Sequence, residues 1–112
     1  MSKTDTKQDY RSLDDIEEEF LRDNPEEIDR YIMDVFADYA EHKDARVLLS
    51  SLRIVAKIKG MGHIANEIGM TREGLYKALS NKGNPRFDNV SAIMGALGYQ
   101  LKPLKVDGPA YE

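Results

Sequence analysis

The run Thr71-Arg72-Glu73-Gly74-Leu75-Tyr76-Lys77 gathers a guanidinium, a carboxylate, a phenol and an ammonium within two turns of any helix it forms. On such a helix Arg72, Glu73, Tyr76 and Lys77 share one side, because residues three and four apart are neighbours. These groups suit a nucleic-acid duplex. Arginine can bond two guanine acceptors at once and a carboxylate can accept from cytosine, each contact giving ~1–3 kcal/mol of base discrimination. Tyr76 and Lys77 are suited to phosphate. Around them Thr71, Ser80, Asn81, Lys82, Asn84 and Arg86 supply hydroxyls, amides and cations, groups that position a protein on the sugar-phosphate backbone without reading sequence.

Other chemistries are poorly served. There is no cysteine, so no disulfide framework, thiolate zinc site or thiol nucleophile is available. His42 and His63 lack partners at metal-ligand spacing. Ser50, Ser51 and Ser80 lack the activating base that a nucleophilic hydroxyl needs. No enzymatic site and no cofactor is expected. The polar start MSKTDTKQDY is not a signal peptide, and nothing approaches the ~20 apolar residues of a membrane span, so a cytoplasmic protein is expected.

The candidate helix must be held by something. Ala65 offers the small residue that two helices need where they cross at roughly 90 to 120°, and Gly69 offers a left-handed turn between them. Ile64, Ile68, Met70, Leu75 and Ala78 are the apolar contacts that fix this crossing. Thr71 is an N-cap, and Met70 with Leu75 has the spacing of a hydrophobic staple. Together, Ile64 to Leu79 reads as a helix-turn-helix whose second helix starts at Arg72. Gly74 inside that helix costs ~1 kcal/mol relative to alanine, and close approach to DNA is one reason to keep it.

The flanking elements read as helices too. Asn24-Pro25-Glu26-Glu27 has the residues of a helix start, with Asn24 as the cap, and Ile28, Tyr31, Ile32, Val35, Phe36 and Tyr39 form one stripe behind it. A second helix runs from near Asp44 to Lys59, burying Ala45, Leu48, Leu49, Leu52, Val55 and Ala56, and Gly60 ends it. The last helix starts about Pro85 or Asp88 and ends at Gly98, with apolar Phe87, Val90, Ile93, Met94 and Leu97. Residues 99–106 leave room only for a short edge strand, because Pro103 cannot donate to a ladder. Such a strand would be a dimer contact. Residues 13–23 form an acidic, weakly amphipathic segment that can dock or stay free. Residues 1–12 are expected to be a disordered tail and 107–112 a C-terminal tail. The class is all-α, a five-helix lambda-repressor-like domain over 24–106.

The net charge of −4 looks adverse for a DNA binder until it is mapped along the chain. Residues 1–42 carry five Lys/Arg against fourteen Asp/Glu, whereas 43–105 carry eleven against four. Screening beyond roughly 8 Å makes the local balance decisive.

Asn24 to Ile28 with Tyr31, Gly60 and Gly62, Ile64-Ala65, the run Gly69 to Ser80, Gly83-Asn84-Pro85 and the ending Ala96-Leu97-Gly98 together resemble the HigA-like addiction-module antidote proteins. The resemblance covers residues 22 to 106. It implies an antitoxin that represses its own promoter through the helix-turn-helix and neutralises a small basic RelE/HigB-like toxin. It places Thr71, Arg72, Glu73, Tyr76 and Lys77 in the recognition helix and Asn84 in the loop after it. Arg86 and Phe87 depart from the family, which favours small polar and aliphatic residues there. The expected partners are therefore double-stranded DNA read as a homodimer, with half-sites about 34 to 36 Å apart or a multiple of that, and a toxin. A prophage-type regulator without a toxin is the rival reading. In a third, the motif is only the core of a protein-binding helical module.

Overall fold

The computed structural model of the chain describes residues 12–80 and 82–107. The expected disordered tail, apart from Ser12, lies outside them, as do Asn81 and residues 108–112.

The described chain is all-helical. It forms α1 (Leu13–Asp23), a single 3-10 turn (Pro25–Glu27), α2 (Ile28–His42), α3 (Ala45–Lys59), α4 (Met61–Glu67), α5 (Arg72–Ala78) and α6 (Phe87–Leu97). Residues 13–23 dock as a full helix. Ser12 starts it with a capping box: its hydroxyl accepts from Asp15 N–H, and its own N–H donates to the Asp15 carboxylate. Two orphan donors of the first turn are thereby satisfied.

Asn24 does not act as the expected N-cap. Its backbone N–H and its side-chain amide both donate to Phe20 O, at 2.9 Å each, so it closes the helix behind it. The chain then passes through the proline-led turn into α2, where Ile28 and Ile32 are buried and Tyr31, Val35, Phe36 and Tyr39 pack at the margin of the core.

Helix α3 is the axis of the molecule, touching α1, α2, α4 and α6. Leu48, Leu49, Leu52, Ile54, Val55 and Ala56 are all buried, more of its circumference than a single amphipathic stripe would cover. Asp44 caps it by accepting from Arg46 N–H at 3.1 Å. Buried Ser51 donates to Val47 O at 2.9 Å, which satisfies its hydroxyl. Ala45 is a correction: it is exposed, on the first turn at the rim of a groove that Phe36 and Phe87 also line.

Acid-base pairs join α1 to α3. Asp14 accepts from Ser50 at 2.6 Å and from Arg53 at 3.2 Å, while Glu18 meets Lys57 at 3.0 Å and Arg22 at 2.6 Å. Both sets of partners advance together along the chain, so α1 and α3 run in the same direction. Beneath these pairs Leu21 is buried in the shared core. Partial burial opposes ionisation of Glu18, but the hydrogen bonds from Arg22 and Lys57 together outweigh it and hold the carboxyl below the usual range.

The C-terminal end carries a third correction. No strand forms among the described residues, because an all-helical chain offers residues 99–106 no strand to pair with. Gly98, at φ +100°, ends α6 instead: its N–H donates to Gly95 O and that of Tyr99 to Met94 O. This pair of bonds is the Schellman arrangement. Tyr99 then reaches Asp29 with its hydroxyl. Burial, then this carboxylate, push its pKa up to about 12.

Candidate nucleic-acid interface

Helices α4 and α5 pack directly on each other across a tight turn. The turn is fixed by hydrogen bonds. Gly69 N–H donates to Asn66 O and Met70 N–H to Ala65 O, a second Schellman ending, with Gly69 at φ +76°. Only a residue without Cβ takes that conformation freely. Ala65 lies buried beneath the turn. Thr71 then caps α5, accepting from Gly74 N–H at 2.9 Å.

The floor of α5 is sealed. Leu75 and Leu79 are fully buried, alongside buried Ile64 of α4. Arg72, Glu73 and Lys77 are exposed on the other side, and Tyr76 is half-buried between the two environments. The Arg72 guanidinium lies over the Tyr76 ring, 5.8 Å from its centroid, within cation-π reach. The ring thus limits the freedom of the arginine while leaving its donor edges open.

The two flanking hydroxyls differ in what they can offer. Thr71 Oγ1 accepts from its own helix and keeps its proton available for a phosphate oxygen. Ser80 Oγ donates to Lys77 O at 2.9 Å, so its proton is already committed to backbone. Beyond the helix, Lys82, Asn84 and Arg86 are exposed, and Arg86 leans toward Asp88 with Nε 3.5 Å from the carboxylate. A shallow cleft of about 280 Å³ lies between α5 and this loop, lined by Gly74, Lys77, Lys82, Gly83, Asn84 and others. Arg72, Glu73, Lys77, Lys82 and Asn84 therefore share the outer side of one helix-and-loop unit.

The residues that match the known proteins span nearly all of this architecture. The profile of the family described as "Probable addiction module antidote protein" matches residues 12–105. The chain belongs to this antidote family. A curated protein of Haemophilus influenzae, described only as uncharacterized, is 39% identical over 77 residues, covering 69% of the antidote chain and 75% of that protein. No solved structure matches the chain.

Two features of the antidote's α5-loop unit escape a reading by residue type. Gly83 is required for space: a Cβ there would lie 2.4 Å from Ala78 O and 2.8 Å from Lys77 O, both backbone atoms. Gly74 has a local reason besides any ligand, since a Cβ there would lie 2.9 Å from the capping Thr71 Oγ1. Arg53 and Lys57, counted in the basic half of the sequence, are engaged by α1. The cations open to an outside ligand are thus concentrated nearer α5 and its loop than the sequence balance implies. Among the described residues, no group of His, Cys, Asp or Glu could hold a metal, and no helix is long and apolar enough to cross a membrane.

Proposed function

We propose that this chain is a cytoplasmic HigA-like antitoxin whose α4 and α5 form the helix-turn-helix of a lambda-repressor-like domain. As a homodimer it binds double-stranded DNA at its own promoter and represses it, and it neutralises a RelE/HigB-like toxin. Membership of the antidote family supports the toxin half of this reading. The DNA half rests on one observation: α5 is anchored by fully buried Leu75 and Leu79 while Arg72, Glu73 and Lys77 remain exposed. A helix held in this way can enter a major groove with its N-terminal residues at base edges.

In this reading Arg72 and Glu73 read bases, Tyr76 and Lys77 brace the helix on phosphate, and Lys82, Asn84 and Arg86 fix its register. Thr71 and Asn81 are the peripheral polar contacts, and Ser80 joins them only by exchanging its bond to Lys77 O for one to phosphate. Gel-shift titration against the DNA upstream of its own gene tests the assignment. Arg72→Ala is expected to lose ~1–3 kcal/mol of discrimination at one base pair, while Lys82→Ala weakens all sequences alike and lowers the salt slope by about one. Absence of any retardation, or wild-type behaviour of both variants, overturns it.

A further inference from the structure

Four of the eight large apolar side chains left exposed among the described residues lie on α1 or line a groove beside it: Leu13, Ile16, Phe20 and Val47. Leu13, Ile16 and Phe20 repeat at i, i+3 and i+7, so they form a stripe along the outer side of a helix whose inner side is already docked. Leu13 is 77% exposed and Phe20 53%. Isolated exposed apolars need no explanation, but a contiguous set on one element marks an interaction surface.

The stripe borders two open grooves. One, of about 440 Å³, runs between α1 and α2 and is lined by Ile16, Phe20, Leu21 and Tyr31 with Glu17, Glu27 and Asp34. Arg30 is the sole cation lining it. The other, of about 620 Å³, adjoins it, sharing Glu17, Tyr31 and Asp34, and extends toward α3, where Val47 and Ser50 line it. Residues 13–42 carry twelve carboxylates against two arginines. Tyr31, with a hydroxyl that donates to Glu17 at 2.9 Å, has its pKa raised by burial first and by that carboxylate second. An apolar floor with an acidic rim fits a ligand of the opposite build.

We infer that the α1–α2 face is the docking site for a basic amphipathic helix of a second protein, which rests its apolar side on Leu13, Ile16 and Phe20 and sets its lysines and arginines over Glu17, Glu27 and Asp34. This is the helix-in-groove mode of recognition, and it leaves α5 open at the same time. The inference rests on the antitoxin reading and gives its partner a place and a chemistry.

The test uses the full chain and, as probe, the product of the reading frame adjoining its own gene, titrated by calorimetry. The double variant Ile16→Glu/Phe20→Glu changes exposed side chains, and its melting temperature is measured alongside to show that it folds. It is expected to weaken binding at least about 30-fold, the range of interface hot spots. Phe87→Glu, in the separate groove near Phe36, is expected to bind as wild type. Raising salt is expected to weaken the wild-type complex, because charge across the rim is screened. If wild type binds and the double variant binds equally well, or Phe87→Glu alone abolishes binding, the assigned face is wrong while the antitoxin reading stands. If wild type does not bind the neighbour's product at all, the antitoxin reading falls and this inference with it. If sedimentation instead shows a self-dimer that Phe20→Glu dissociates, the face belongs to a second copy and the inference is overturned.

Discussion

Replacing Gly83 with alanine is the sharpest single perturbation of the loop that carries Lys82 and Asn84. The new Cβ would sit 2.4 Å from Ala78 O, 2.8 Å from Lys77 O and 2.9 Å from Ala78 C, distances that real Cβ atoms essentially never show. Every one of these atoms is backbone, so no rotamer change relieves the contact. The loop must move away from the end of α5, which strains or breaks the Gly83 N–H to Ser80 O bond of 2.9 Å. Overpacking typically costs about 1–3 kcal/mol and a lost hydrogen bond about 0.5–1.5. Against this, alanine restricts the unfolded chain and recovers about 0.4–1 kcal/mol. The net expectation is a loss of roughly 0.5–4 kcal/mol, centred on about 2, which corresponds to a fall in Tm of about 8–16 °C for a domain of this size. Gly62 and Gly95 provide the control, since a Cβ at either meets nothing within 4 Å. Both lie inside helices, where alanine gains about 0.5–1 kcal/mol, so Gly62→Ala and Gly95→Ala should each raise Tm by a few degrees. Thermal melts followed by circular dichroism measure all three. A Gly83→Ala protein that melts at or above wild type would refute the steric argument.

At the start of α5, Thr71→Ala should lower stability by about 1 kcal/mol through loss of the cap. Gly74→Ala should be nearly neutral in the same melts, because its gain in helix propensity is offset by crowding of the Thr71 hydroxyl. A Gly74→Ala variant stabilised by the full ~1 kcal/mol would show that the cap tolerates the methyl group. For the α1–α3 pairs the pH dependence has a definite sign. Glu18 has a lowered folded-state pKa, so its contribution is present above the ordinary value of 4.5 and fades as pH falls through the lower one. Denaturant titrations across that acid window should show Glu18→Gln losing less stability with falling pH than wild type; parallel curves would remove Glu18 from the acid response.

What could be read from residues alone was whatever depends on near neighbours. The stripe Ile28 to Tyr39, the Gly60 and Gly98 stops, and the Gly69 turn with its Thr71 cap all involve partners within a few positions, and each is found where the spacing puts it. The pairs Asp14–Arg53 and Glu18–Lys57 join residues 39 positions apart. Composition gave the opposing charges of the two halves but not that they meet. Asn24 was misread because one amide can serve the helix ahead or the one behind, and the sequence presents both. Gly83 shows no steric reason in the sequence, since crowding by the carbonyls of α5 exists only once the chain has turned back on itself. The outward position of Arg72, Glu73 and Lys77 follows from Leu75 being core, which periodicity indicates; the contact expected of Ala78 is instead made by fully buried Leu79, with Ala78 only partly buried.

The enclosure of α3 has a consequence for motion. A helix gripped by four others cannot open by itself, so its central amides, around Leu52 to Ala56, should exchange hydrogen only when the whole molecule opens. The outer helices can then loosen, or a ligand can tighten them, around a rod that keeps its shape. Any signal crossing from the acidic end to the cationic one must travel as a tilt of neighbouring helices against that rod, because melting it would dissolve both ends together.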